Sequence, residues 1–417
     1  MSSVAAITTT NTAQLPASNQ ARGLRPYTHV LAVFLCGAIA FLELYCVQPL
    51  LPLLSHIFGV TETHVGLTIS ASTLGVAISA ALLAIFGERL DRKRTIVLAM
   101  TALGLSGLLT STAIGLYSLT AWRFLQGIVT PGIFIITIAY VTEEWPAHLV
   151  PRVMSAYVAG TVFGGFSGRL LGGLIADHLG WRPVFFILGA IGLVGALLTH
   201  RLLPAAHAST HSHKHHKPAS PYAPLLANLR NPRLLATFGI GFCMLFTLIS
   251  VFSFITFYLS DAPFHLGTTA LSYLFAVYLI GLVATLAAGT VLARIGLRHG
   301  MVFAVLLCIT GVALTLIHAL AFVALGLAVC SSGVFIAQTC ANSFLRDAAP
   351  AGSRVSAAGL YICGYYIGGT VGGVLPGLAY RYAGWPATAA LTIAILAIAG
   401  LTAWFGWPAH RSDPIPL

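Results

Sequence analysis

Three side chains could do chemistry because each places a charge inside a long apolar run: Glu43, Arg123 and Arg169. The other nine of the ten carboxylates fall in polar stretches or at the ends of apolar runs. A charge held in an apolar medium costs a few kcal/mol or more, so it is rare and usually functional. A carboxyl group there can take a proton from one side and release it to the other, and it should then face a cavity. It could instead bind a cationic substrate, or stay protonated and bonded to a neighbouring helix as a fixed part of the structure. Arg123 and Arg169 could pair with Glu43 and favour proton release, or bind an anionic substrate. The alternative for both is bonding to backbone carbonyls. One such acid, with no metal-ligand set beside it, does not make a catalytic centre, so no enzyme, cofactor or metal is expected.

The elements that position these groups follow from composition. The 417 residues are 58% hydrophobic and 7% charged, whereas soluble domains are about 25% charged. The solvent for this surface must be a lipid bilayer. Apolar runs long enough to span one occur at about 28–54, 65–86, 95–115, 118–141, 153–176 and 183–203. Six more lie at about 234–259, 268–292, 300–318, 320–344, 354–379 and 386–407. These are spans 1 to 12, and the fold class is an all-α membrane protein. The expected organisation is a disordered tail (1–27), a six-helix bundle (28–203), a His-rich linker (204–232), a second six-helix bundle (233–407) and a short tail (408–417).

Basic residues orient the chain. Seventeen of the 21 lysines and arginines lie on one side of this arrangement, against only Arg182 and Arg381 on the other. The positive-inside rule puts both termini and the linker in the cytoplasm of a bacterial inner membrane. The net charge of +11 is thereby explained without nucleic acid. Seven cysteines, all inside apolar runs, read as packing residues rather than a disulfide set. No cleaved signal peptide is expected.

The two halves repeat. Glycines at 160, 164, 165, 168, 172 and 173 in span 5 are echoed at 364, 368, 369, 372, 373 and 377 in span 11. The offsets 368 − 164, 372 − 168 and 384 − 180 all equal 204, the last joining Gly180-Trp181 to Gly384-Trp385. Small residues four apart let helices touch backbone to backbone. These stripes are expected to seat span 5 on span 8 and span 11 on span 2, across the halves. Two further matches are Gly87–Arg92 with Gly289–Arg294, and Pro131–Ile135 with Ser332–Ile336. Such repeats suit transporters whose halves rock around a midplane site.

On these residues the chain resembles the major facilitator superfamily, and within it the arabinose-efflux-like and drug:proton antiporter-like branch. Gly87-Glu88-Arg89-Leu90-Asp91-Arg92-Lys93-Arg94 resembles the family's loop after span 2, lacking a two-residue spacer. Arg123-Phe124-Leu125-Gln126-Gly127 resembles its Arg-x-x-Gln-Gly motif. The glycine run from Gly160 is similar to the motif of proton-driven exporters, with Gly165 where proline and Arg169 where glycine is expected. Gly180-Trp181-Arg182 is common at the turn after span 5 of the family. The resemblance favours a coupling role for Arg123; with Glu43 as the proton carrier and Arg169 beside it, these three are the expected proton-coupling residues. It also implies a cytoplasmic gate built from Gly87, Asp91, Arg92, Arg94 and Arg152, with Asp91 reaching span 11 and Arg152.

Polar candidates for contact with a small-molecule substrate are Tyr45, Gln48 and Gln126 in the first half and Tyr278, Gln338, Asn342, Tyr361 and Tyr365 in the second, with Tyr366 beside them. The linker histidines His207, His211, His213, His215 and His216 read as a flexible tether. The expectation is a monomeric, proton-coupled exporter of a drug-like compound or sugar, in which proton uptake and substrate release exchange at Glu43. The alternative is an importer or facilitator of a sugar or organic anion. A non-transporting sensor is a further alternative.

Overall fold

The computed structural model describes residues 26–86, 90–146, 148–204, 223–281, 283, 295–350 and 353–408. The tails, most of the linker with its five histidines, Gly87 of the loop motif and the Gly289–Arg294 repeat lie outside the described residues. Nine helices among the described residues are long and apolar enough to cross a membrane. Three more complete the two sets of six: Arg92–Thr110, which opens on three basic residues, Thr268–Gly281, and the glycine- and tyrosine-rich Arg354–Gly372. The last continues from Leu375 to a kink at Ala383-Gly384, beyond which span 12 runs to Gly406.

Local sequence explains where the helices stop. Gly180 and Gly384 have φ of +88° and +63° with ψ of 173° and −152°, a region essentially reserved for glycine that costs an L side chain roughly 1–3 kcal/mol. Each reverses the chain between consecutive spans. The tryptophan that follows is buried: Trp181 packs edge-on against Phe58 and Phe185, and Trp385 donates from Nε1 to Thr315 Oγ1 at 3.0 Å. The repeated Gly-Trp pair is therefore a turn plus an anchor.

Span 1 is broken. A helix runs over Pro26–Tyr45, a 3-10 turn over Gln48–Leu50 and a second helix over Leu51–Phe58. Pro49 causes this, because its ring clashes with the carbonyl of residue 45 and it has no N–H to donate. The break leaves backbone carbonyls near residues 43 and 44 needing other donors.

The glycine stripes pack differently from expectation. A Cβ on Gly160, Gly164, Gly168 or Gly172 would lie 2.0–2.6 Å from the carbonyl oxygens of Phe34, Ala38, Leu42 and Cys46, all in or just past the first helix of span 1. In the second half Gly364, Gly368 and Gly372 meet Phe238, Phe242 and Phe246 of span 7 in the same way. The offset of 204 recurs in the partners, since 34 + 204, 38 + 204 and 42 + 204 give 238, 242 and 246. The main stripe thus fastens span 5 to span 1 and span 11 to span 7, inside each half. Residues one position farther round the helix reach across: Gly173 to Ser272 of span 8, Gly373 to Gly66 and Ser70 of span 2, and Gly377 to Thr63. The contacts between halves run mainly through spans 2 and 11 and spans 5 and 8.

Candidate functional site

A cavity of about 340 Å³ lies between the halves, lined by spans 1, 4, 5, 7, 8, 10 and 11. Its lining runs from Tyr45, Arg169 and Tyr278, all buried, to Ile138 and Asn342, which are exposed and sit toward the end of the bundle where the chain enters and leaves. The opposite end is closed. There Ser70 donates to the Thr370 carbonyl at 2.6 Å, Gln48 Nε2 to Ser253 Oγ at 3.1 Å, and Thr269 Oγ1 to Asp177 Oδ2 at 2.8 Å. Each of these bonds crosses from one half to the other.

Six expected contact residues line the cavity: Tyr45, Tyr278, Gln338, Asn342, Tyr361 and Tyr365. Tyr366 joins them and stacks on Phe134 with ring centroids 6.0 Å apart. Phe41, Phe134, Phe166 and Phe335 also line it and were missed as ordinary apolar residues. Helical spacing could have found them: Phe41 lies four before Tyr45, Phe335 three before Gln338, and Phe166 three before Arg169.

Arg169 is 2% exposed and forms the deep wall. Its side chain leans back along its own helix, as long helical side chains do. Nη1 donates to the Gly165 carbonyl at 2.6 Å and Nε to Gln48 Oε1 at 2.6 Å. The guanidinium carbon lies 4.3 Å from the Tyr45 ring centroid and 4.5 Å from that of Tyr278. The expected pairing with Glu43 is not formed. Gln48, held between Arg169 and Ser253, is a brace at the closed end rather than part of the cavity wall.

Glu43 faces elsewhere. It does not line the cavity; its carboxylate points at the glycine-rich contact of spans 3 and 6, where a Cβ on Gly192 would come within 2.4 Å of Oε1 and one on Gly107 within 2.9 Å of Oε2. Gln126 sits here too, donating to Glu43 Oε2 at 3.1 Å and accepting from Arg123 Nη1 at 2.6 Å. Gln126 is therefore a bridge between the acid and the arginine, not a cavity residue. Arg123 also donates to the backbone carbonyls of Glu43, at 2.8 Å, and Leu44. It caps the acceptors that the break at Pro49 exposes. Glu43, Gln126 and Arg123 are all fully buried, and Glu43 Oε1 has no hydrogen-bond partner among the described residues.

At the other candidate site, Asp91 accepts from the Arg94 backbone N–H at 2.9 Å and so caps span 3. Among the described residues it contacts neither Arg152 nor span 11. Arg92 instead makes a paired bond to Glu143 of span 4, at 2.8 and 2.9 Å, within the first half.

The family model of the Major Facilitator Superfamily matches residues 33–372 and 263–416. The chain belongs to the major facilitator superfamily. It is 28% identical over 386 residues to the uncharacterized MFS-type transporter YybF of Bacillus subtilis, covering 92% of this chain and 94% of that one. It is also 28% identical over 396 residues to the inner membrane transport protein YnfM of Escherichia coli, covering 94% and 92%. Among solved structures, a bacterial homolog of the human lysosomal transporter Spinster, in an inward-facing and unoccupied conformation, aligns with a TM-score of 0.73 at 16% identity, covering 92% of this chain and 97% of that one. This major facilitator protein is a multi-pass membrane transporter and not an enzyme, and its twelve spans form the superfamily's two pseudo-symmetric bundles.

Proposed function

We propose that the chain is a proton-coupled exporter of small molecules that works by alternating access, with its termini and linker in the cytoplasm. The observation that carries this reading is the fully buried set of Glu43, Gln126 and Arg123 beside the break in span 1. Glu43 is the proton carrier. Gln126 relays its charge state to Arg123, and Arg123 holds the carbonyls from which Tyr45 and Gln48 lead to Arg169. Proton and substrate thus use separate places, and exchange is indirect. A cavity walled off at one end and lined by exposed residues toward the other supports an inward-facing state, as does the likeness to a structure described as inward-facing.

The test uses the full chain in proteoliposomes loaded with pyranine, offered ethidium, norfloxacin, arabinose or naphthylacetate. At least one compound should drive proton movement in the wild type, and Glu43→Gln should abolish it. Proton movement that is absent with all four, or unchanged in Glu43→Gln, sinks the reading.

A further inference from the structure

We infer that the substrate is a compact aromatic monoanion whose acidic group sits at Arg169, a deepening that rests on the export reading above. Among the described residues, three buried donor atoms with no well-formed hydrogen bond line the same cavity: Arg169 Nη2 and the hydroxyls of Tyr278 and Tyr361, with Arg169 and Tyr278 close enough to interact with each other. All can donate, so they suit an acceptor. Among the described residues lining the cavity, Arg169 is the one that carries a charge. The acid that could have neutralised it, Glu43, is turned to the far side of span 1. A buried cation without an acidic partner is costly, and among the described residues its neighbours supply one carbonyl, one amide oxygen, the Tyr278 hydroxyl and aromatic faces. A carboxylate arriving there meets a guanidinium that is already desolvated and fixed in place, and charge-assisted bonds of this type are the strong ones.

The remaining wall decides the rest of the ligand. Beyond Arg169 it is largely aromatic, including Phe41, Phe134, Phe335 and Tyr366. Apart from the tyrosine hydroxyls, its polar side chains are Thr161, Gln338 and Asn342. A sugar presents hydroxyls all round, and those facing the phenylalanine part of this wall would lose their water without replacement. An aromatic body with a single acidic end fits both parts of the wall. The cavity of about 340 Å³ is at the small end for ligand pockets.

Equilibrium binding of tritiated naphthylacetate to the purified full chain, competed with neutral naphthylacetamide and cationic naphthylmethylamine, tests this. The wild type should prefer the acetate over the amide by about tenfold to a hundredfold, the range for a hydrogen bond to a charged group. Arg169→Gln should erase that preference. Arg169→Lys, which keeps the charge and so controls for folding, should retain most of it. Equal binding of the three compounds, no binding of the acetate, or a preference that survives in Arg169→Gln overturns the inference. The two readings fail separately. Loss of proton movement in Glu43→Gln without an anion preference leaves coupling standing and removes only the substrate class. The reverse pattern leaves anion recognition without proton coupling.

Discussion

Adding one methyl group at Gly66 should open the closed end of the protein, whereas the same addition at Gly164 should not. A Cβ at either position would lie 2.0 Å from a backbone carbonyl oxygen. Ordinary contact begins at 3.4 Å, so the facing backbones must part by 3.4 − 2.0 = 1.4 Å in both cases. Overpacking of this kind costs about 1–3 kcal/mol. The partners differ. Gly66 meets Gly373 of the other half, while Gly164 meets Ala38 of its own half. In Gly66→Ala the strain exists only while the two halves touch at this end. It is relieved when they separate, so it changes the balance between states. A cost of about 1–3 kcal/mol shifts that balance about 5- to 150-fold. An open state populated at about 1% would rise to about 5–60%. The better helix propensity of alanine acts equally in both states and cancels.

The assay is the distance distribution between spin labels at His64→Cys and Tyr382→Cys, both exposed near this end of spans 2 and 11. Six native cysteines are buried, so only the half-buried Cys363 needs replacing with serine. Gly66→Ala should add a population at longer distance. Gly164→Ala should leave the distribution unchanged and lower the unfolding temperature. An unchanged distribution in Gly66→Ala, or a similar shift in Gly164→Ala, refutes the assignment of these glycines to moving and fixed contacts.

Gln126→Leu removes the bridge between Arg123 and Glu43; proton movement should fall at least about tenfold, from loss of a bond to a charged group, with naphthylacetate affinity unchanged. Arg123→Ala leaves the Leu44 carbonyl without its arginine donor and the Glu43 carbonyl with only the weak Cys46 thiol, at about 1–3 kcal/mol for the former, which a drop in unfolding temperature would register. Asp91→Asn keeps an equally good helix cap, so its unfolding temperature should match the wild type; if the expected gating contacts of Asp91 form in the state in which the other end opens, transport should still slow. If one proton enters for each monoanion exported, two elementary charges move in the same sense. A potential of 100 mV would then contribute about 4.6 kcal/mol, and valinomycin-imposed potentials should change the accumulation ratio accordingly.

Much of the architecture is written in the chain's own repetition. The offset of 204 that joins Gly164 to Gly368 also joins their partners Ala38 and Phe242, and it places two positive-φ glycines before two buried tryptophans. Residue type and depth were enough to select Tyr45, Tyr278, Gln338, Asn342, Tyr361 and Tyr365 for the cavity. Which helix a glycine stripe faces was not legible. Span 5 carries two glycine faces about one residue apart, and both are compatible with close packing. The target depends on which neighbour offers a bare carbonyl row, and that is a property of the assembled bundle.

The orientation of Glu43 was legible in principle, and it decides how coupling can work. Phe41 and Tyr45 are four residues apart and share the cavity face of span 1. Glu43 lies two residues from each, and residues at that spacing do not share a helix face. An acid placed between two cavity aromatics must point away from the substrate. The same helix therefore shows the cavity Tyr45 on one side and Glu43, the proposed proton site, on the other, with its thickness between them. In this geometry a substrate in the cavity does not reach Glu43, so on the proposed reading the exchange of proton and substrate is indirect. What joins the two sides is the break at Pro49, where Arg123 holds the carbonyls of Glu43 and Leu44 and the chain continues through Tyr45 to Gln48 and Arg169. On the proposed reading, a change in the charge at Glu43 reaches the cavity by moving that break.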